Sequence, residues 1–367
     1  MKILCVINSL CPGGAQRQLI NLAIGFKRNG HEVSFLAYHN ENFYTSELLE
    51  NDIPTTFLVE PNYLKRLLKM RKFIRGGQYD AVLAFLEAPC FIATVSGFPY
   101  RKWKLVVGER SADPNILSSF KRRFYRWVHL FADYVVANSQ TNLEMVRRIN
   151  PLMPNRKCKV IYNMLRINDT ANINKSNFFK DKLKMVILAN QRKLKNLNGL
   201  VEAVNMLGEN ERKRLRINWY GERDIKDHDL EALKKIDRYG LVDVFAFHEP
   251  IKDVNVKIKE SDVVGLFSHY EGFPNIICEA MILNKPVICS TVSDIPILLK
   301  EDENGFFCNP EDIVSISNAL KKLLAAEKEQ LNKMGDTNRI LADKLFNSEV
   351  LIENYLTLLG DKKVKSG

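Results

Sequence analysis

The chain has 367 residues, 46% of them apolar and 10% aromatic, which is enough for two domains with full cores and excludes a disordered chain. Its 54 Lys and Arg against 43 Asp and Glu leave a net charge of +11, which calls for an anionic partner: nucleic acid, an anionic membrane face or a phosphorylated small molecule. No apolar run reaches the ~18 residues that span a bilayer, and the 7 scattered cysteines lack the C-x-x-C spacing of zinc and redox motifs.

The opening MKILCVIN enters a strand without the charged, apolar and small-residue regions of a secretory leader, so buried reduced thiols and a cytoplasmic location are expected. A strand at Ile3–Asn8 leads through the loop Ser9–Gly14 into a helix. That helix has Ala15, Leu19, Leu22, Ala23 and Phe26 on one face and closes at Gly30. Further strands are predicted near Val33–Tyr38, Thr55–Val59, Ala81–Leu86, Leu105–Gly108, Tyr134–Asn138 and Lys159–Tyr162, with helices between most of them.

From Arg166 to Asn177 the chain turns polar and Asn-rich without periodicity, as a linker would. Alternation then restarts: strand Met185–Ala189, helix Leu200–Leu207, strand Ile217–Tyr220, helix Leu230–Tyr239, strand Val244–Phe247. The tail from Glu311 is helical, and its last helix, near Glu349–Leu359, is long enough to pack back on the first domain. The expected fold is α/β, with two similar αβα domains facing each other across a cleft. The expected division is 1–165, a linker at 166–180, 181–346, and a returning helix at 347–367.

The stretch Asp262–Ser290 reads as strand, tight loop, helix and strand. Val263, Val264, Leu266 and Phe267 form a short buried-type strand, Glu271–Asn275 a turn, and a helix starts near Asn275. Glu271 then sits at the carboxyl end of a strand and Glu279 about one turn into the helix. In a doubly wound sheet ligands bind at that edge, and a helix start there suits a phosphate. Two carboxylates would repel the phosphate itself but can accept hydrogen bonds from sugar hydroxyls, so the inferred ligand is a sugar joined to a diphosphate. A helix-capping Glu271 and a solvated Glu279 would also fit this segment alone.

Gly13-Gly14 follows the first strand and opens a helix, although it is not the G-x-G-x-x-G fingerprint and a plain turn explains it as well. The loop Ala189–Asn196 carries Arg192 and Lys195, a planar fork and a point charge suited to phosphate oxygens. The run Arg192-x-x-Lys195-Asn196, taken with Glu271-Gly272-Phe273-Pro274 and Glu279-Ala280-Met281, resembles family 4 of the retaining GT-B glycosyltransferases, including its Glu-x7-Glu motif. Gly13-Gly14-Ala15-Gln16 resembles the family's Gly-Gly-Ala-Glu loop with Gln for Glu. Val160-Ile161-Tyr162-Asn163 resembles its Val-Ile-Pro-Asn-Gly segment, with Met164 in place of the Gly.

The resemblance implies two facing Rossmann-like domains, the first binding acceptor and the second a nucleotide-sugar donor, with UDP the favoured nucleotide. Arg192 and Lys195 would neutralise the diphosphate, Glu279 would hold the ribose, and Glu271 would contact the donor sugar. Glu271, Arg192 and Lys195 would be the catalytic set, with Gly13, Gly14, Gly272, Phe273, Pro274, Asn275 and Ile276 lining the donor. No metal or other cofactor is implied. Departing phosphate oxygen, not a protein side chain, would serve as base towards the acceptor.

Asp227-His228-Asp229 resembles a metal-binding D-x-D, but it immediately precedes the helix at Leu230, where capping explains it. The 6 histidines show no ligand spacing. Charge concentrates in Tyr63–Arg75 and Phe120–Trp127, basic stretches with apolar residues at helical spacing. Lys65, Arg66, Arg122 and Arg123 are candidates to face an anionic membrane, although a core-facing helix with a solvated basic back fits too. No nucleic-acid-reading module is recognisable, and the resemblance implies a hexosyl- or N-acetylhexosaminyltransferase acting on a glycan or lipid-linked glycan acceptor, which with the basic stretches is expected to be peripheral on the inner face of the cell membrane. The alternatives are a nucleotide-sugar 2-epimerase of the same fold and a non-catalytic basic binding protein.

Overall fold

The computed structural model describes residues 1–111, 113–165, 182–223, 230–251 and 253–361. The expected linker and Asp227-His228-Asp229 lie outside the described residues. The chain divides into two compact units, Met1–Arg166 with Phe346–Gly367, and Ile167–Leu345.

The first unit is built on β1 (Lys2–Val6), β2 (Glu32–Ala37), β3 (Thr55–Phe57), β4 (Ala81–Phe85), β5 (Lys104–Glu109), β6 (Tyr134–Ala137) and β7 (Cys158–Val160). They form one parallel sheet in the order β3-β2-β1-β4-β5-β6-β7. Near-continuous apolar runs such as ILCV and AVLAF suit strands that helices cover on both faces. The first helix, Gly14–Arg28, ends where Gly30 takes φ +79°. There the Gly30 N–H reaches the Lys27 carbonyl at 3.0 Å and the His31 N–H reaches Phe26 at 3.1 Å, closing a Schellman motif.

The helix Ser348–Leu359 packs on the first helix and on β4 and β5, adding Leu351, Ile352, Tyr355 and Leu356 to that core. Its approach is close: a Cβ on Gly25 would lie 2.4 Å from Ile352 Cδ1. Arg110, stacked 3.8 Å over the Phe85 ring, donates to the Tyr355 hydroxyl and to Asn163 Oδ1.

The second unit is built on β8 (Leu183–Leu188), β9 (Leu215–Tyr220), β10 (Phe245–His248), β11 (Val263–Leu266), β12 (Val287–Ser290) and β13 (Gly305–Cys308). Its order is β10-β9-β8-β11-β12-β13, again parallel throughout. In both sheets the strand order reverses beside the first strand, and in the second unit this places the switch point between β8 and β11. Strand β13 was not among the predicted strands. The helix after β8 begins at Leu197, earlier than its apolar spacing indicates, because Asn196 caps it.

Candidate active site

The loops leaving β8 and β11 carry Arg192 and Lys195 on one side of the switch point and Glu271 on the other. Lys195 Nζ lies 2.5 Å from Glu271 Oε1, with the two side chains only 21% and 15% exposed. The Ser268 hydroxyl donates to the same carboxylate oxygen at 2.7 Å. The two loops are also joined through the backbone, the His269 N–H donating to the Leu194 carbonyl at 2.9 Å. A charge-assisted pair in this setting is worth roughly 1.5–3 kcal/mol, more than a solvent-screened surface pair. Arg192 is exposed, and no ion pair engages its guanidinium among the described residues.

The β8 loop is held from three sides. Asn196, left-handed at φ 59°, accepts from the Gly199 N–H at 3.1 Å and donates from its amide to the Pro310 carbonyl at 2.9 Å. The Trp219 indole donates to the Ala189 carbonyl at 2.7 Å. Gly221 passes so close that a Cβ there would sit 2.1 Å from the same carbonyl oxygen, so the position requires glycine.

The helix Asn275–Ile282 starts behind the β11 loop, with Pro274 at its N-cap, no side-chain cap and no acidic residue in its first turn. Its first N–H groups and positive dipole end therefore face no protein carboxylate from the helix itself, as an anion site requires. Glu271 turns to Lys195 and Ser268 and does not cap this helix. Glu279 is 5% exposed, which rules out a solvated surface carboxylate. With Asp294 it keeps the buried Cys278 thiol protonated, burial itself being the main cause. The turn between is tied down where the Ser293 hydroxyl donates to the Gly272 carbonyl at 3.2 Å. His269 pairs through Nδ1 with Glu311 at 2.6 Å, a contact that gives the imidazole a structural partner.

In the first unit, Gly13 is the extended N-cap of the first helix, again without a side-chain cap or first-turn acid. A Cβ there would meet Gln16 Oε1 at 2.4 Å, and the Gln16 amide in turn reaches Asn8 and Cys11. The carboxyl ends of β4 and β5 hold a charge cluster that pattern reading did not single out. Arg126, fully buried, reaches Glu109 at 2.8 Å and Glu87 at 3.0 Å, while Arg122 reaches Glu87 at 2.8 Å and Asp113 at 2.7 Å. Burial pushes the Glu109 carboxyl up against the opposing pull of Arg126.

This cluster corrects part of the membrane-facing set. Arg122 is drawn inward by two carboxylates, and Arg66 lies over the Tyr38 ring at 4.6 Å and the Tyr63 ring at 5.4 Å. Lys65 and Arg123 stay exposed, close in sequence to exposed Leu64, Leu68, Phe120, Phe124 and Trp127. Among the described residues no helix is long and apolar enough to cross a membrane, and no group of three or more His, Cys, Asp or Glu is placed to share a metal ion.

Comparison with known proteins agrees with this geometry. Residues 12–168 match the family model Glycosyltransferase Family 4, and residues 168–340 match Glycosyl transferases group 1. A Campylobacter jejuni GalNAc-alpha-(1->4)-GalNAc-alpha-(1->3)-diNAcBac-PP-undecaprenol alpha-1,4-N-acetyl-D-galactosaminyltransferase is 24% identical over 99% of both chains. A second Campylobacter jejuni enzyme, N-acetylgalactosamine-N,N'-diacetylbacillosaminyl-diphospho-undecaprenol 4-alpha-N-acetylgalactosaminyltransferase, is 26% identical over 71% of each. Among solved structures, Anabaena Alr3699/HepE in complex with UDP superposes at a TM-score of 0.84, with 20% identity, over 98% of this chain and 99% of that one. Two Rossmann-like sheets, the Lys195–Glu271 switch point and both family matches lead to one conclusion: the chain belongs to family 4 of the GT-B glycosyltransferases and is a glycosyltransferase.

Proposed function

We propose that the enzyme transfers a hexose or N-acetylhexosamine, with retention of anomeric configuration, from a UDP-sugar to a hydroxyl of a lipid-linked glycan in cell-surface polysaccharide or glycolipid synthesis. The observation that carries this reading is the Lys195–Glu271 pair across the second sheet's switch point, beside an exposed Arg192 and an uncapped helix start. An ammonium has three donors, so Lys195 can keep Glu271 and still reach a diphosphate oxygen. Glu271 would then offer its remaining acceptor capacity to a donor-sugar hydroxyl, and Glu279 would take the ribose. The second unit holds the donor, and the first takes the acceptor at the carboxyl ends of its strands.

In the reaction, the bond from the anomeric carbon to the β-phosphate oxygen breaks, and its electron pair leaves with the nucleoside diphosphate. The acceptor oxygen bonds to the same face of that carbon, and its proton passes to the departing phosphate oxygen. Charge grows on the diphosphate, so fixed cations there lower the barrier most. The Campylobacter relatives' names support an undecaprenol-diphosphate-linked acceptor and an N-acetylhexosamine, and UDP in the Anabaena complex supports the nucleotide. Exposed Leu64, Leu68, Phe120, Phe124 and Trp127 with Lys65 and Arg123 support docking on an anionic membrane face, where such an acceptor resides.

The test supplies UDP-GalNAc, UDP-GlcNAc or UDP-glucose with polyprenyl-diphosphate-linked oligosaccharides and reads the product linkage by NMR. One donor should give an α-linked product, with Arg192→Ala slowing turnover by about 10²–10³. Absence of product from every pair, or release of a free 2-epimer without acceptor, would overturn the proposal.

A further inference from the structure

A cavity of about 380 Å³ opens at the amino ends of β5 and β6 in the first unit, the opposite end of that sheet from Gly13, Glu87 and Glu109. Its size is that of a small-ligand site. Three large rings line it while remaining partly in solvent, Phe98, Tyr100 and Phe131, with Phe98 and Phe131 edge-on at 4.8 Å. Trp103 lines it as well. Only 8% of Trp103 is exposed, and its indole N–H meets no acceptor among the described residues. Arg101 Nε, in the same lining, is likewise buried without an acceptor.

The loop that forms the cavity is fixed by two arginines of the helix Tyr63–Gly76. Arg71 donates to the carbonyls of Val95 at 2.7 Å, Ser96 at 3.2 Å and Phe98 at 2.5 Å. Arg75 donates to Ser96 at 3.1 Å, Phe98 at 3.3 Å and Tyr100 at 3.0 Å. Asp133 is also committed, to Arg101 and to the Leu105 N–H at 2.8 Å each, with Lys104 at 3.8 Å. Burial alone would raise the Asp133 carboxyl; these partners hold it below its usual range. Asp133, the acidic side chain of the lining, is therefore committed, whereas the exposed Lys102 ammonium remains as a donor, with the unpartnered Trp103 Nε1 and Arg101 Nε buried beneath the lining.

A lining of net positive charge (Arg101, Lys102 and Lys104 against Asp133), rimmed by aromatic faces, matches a ligand with a flat C–H-bearing ring and an anionic group. We propose that this cavity is an exosite for an acidic sugar residue of a glycan, a pyranose carrying a carboxylate or phosphate. A lipid phosphate would bring the charge but no ring face for Phe98 and Tyr100. The proposal rests on the glycan-acceptor reading for the source of its ligand. Binding is measured without turnover, so its failure leaves the transfer reaction untouched.

The experiment follows the indole N–H signals of the full chain by NMR, with Trp103 identified through Trp103→Phe. The titrants are a tetrasaccharide of alternating glucuronic acid and N-acetylglucosamine, neutral chitotetraose, inorganic phosphate and phosphatidylglycerol vesicles. The Trp103 signal should move saturably with the acidic tetrasaccharide. Tyr100→Ala with Lys102→Glu should weaken that binding at least tenfold while leaving UDP binding unchanged. An unmoved Trp103 signal at millimolar tetrasaccharide would overturn the proposal, as would an equal response to chitotetraose or phosphate. A response to vesicles alone would do the same and assign the cavity to lipid.

Discussion

Lys195→Ala separates what the switch-point pair does for the fold from what it does for transfer. In the folded chain, the substitution leaves the Glu271 carboxylate, 15% exposed, with the Ser268 hydroxyl at 2.7 Å and without its cation. The lost charge-assisted bond should cost about 1.5–3 kcal/mol of stability, the higher part applying because the carboxylate cannot fully rehydrate. The loss at the reaction should be larger. A fixed donor at the site of growing charge is worth about 2.7–4 kcal/mol, or 10²–10³ in kcat. Glu271→Gln and the double variant complete a cycle that isolates the pair's coupling from each side chain's separate contribution. Chemical denaturation reads the first quantity, and UDP release at saturating donor reads the second. A Lys195→Ala enzyme that is destabilised as expected but turns over within about threefold of the parent would refute the assignment of Lys195 to the leaving diphosphate.

Two further substitutions probe how the site is held. Gly221→Ala drives a Cβ to 2.1 Å from the Ala189 carbonyl, whereas Gly240→Ala, at φ +63° with nothing within 4 Å, adds only backbone strain. Overpacking should cost about 1–3 kcal/mol or more and weaken UDP binding by displacing the β8 loop; Gly240→Ala should cost about 1–2 kcal/mol and leave UDP affinity unchanged, as calorimetry would show. His129 makes stability pH-dependent: burial and then Arg126 hold its imidazole down to about 3, from the ordinary 6.5. The unfolded chain therefore takes up a proton that the folded chain refuses. The stabilisation is complete above about pH 6.5 and drains as pH falls towards 3, with about 2 kcal/mol lost by pH 5. His129→Leu should flatten that part of the urea-midpoint profile, and Glu109, whose raised carboxyl acts in the opposite direction, is common to both proteins. Identical profiles would contradict the account.

The sheets were legible because each long strand is a compact apolar run, and a run buried on both faces needs no partner information to be recognised. Strand β13 escaped because GFFC, no shorter than β11 and β12, opens on a glycine directly after Glu303-Asn304 and so reads as the end of a turn. The site was half legible. Glu271 and Lys195 lie 76 residues apart, and only the rule that ligands gather at the carboxyl ends of parallel strands brought them to one place. That rule does not predict the supporting contacts. The Ser268 hydroxyl on Glu271 and the Asn196 amide on Pro310 depend on loop conformation, which residue spacing does not encode.

The basic segments show the limit of linear reading most clearly. Phe120-Lys121-Arg122-Arg123-Phe124-Tyr125-Arg126-Trp127 has the spacing of a cationic amphipathic helix, and the helix does form over Phe120–Val128. Its arginines nevertheless serve different ends. Arg126 is consumed by Glu109 and Glu87, 17 and 39 residues away, and Arg122 by Glu87 and Asp113, while Arg123 stays in solvent. In the other segment Arg71 and Arg75 are spent on carbonyls of the loop at 95–100, leaving Lys65, Lys69 and Lys72 outside, Lys69 paired with Glu60. Net charge counts every one of these cations equally, but a partner meets only those whose counter-charge is not already supplied by another strand or loop. The surface cations to test against membrane or glycan therefore include Lys65, Lys72, Lys102, Lys121 and Arg123, a smaller set than the basic runs imply.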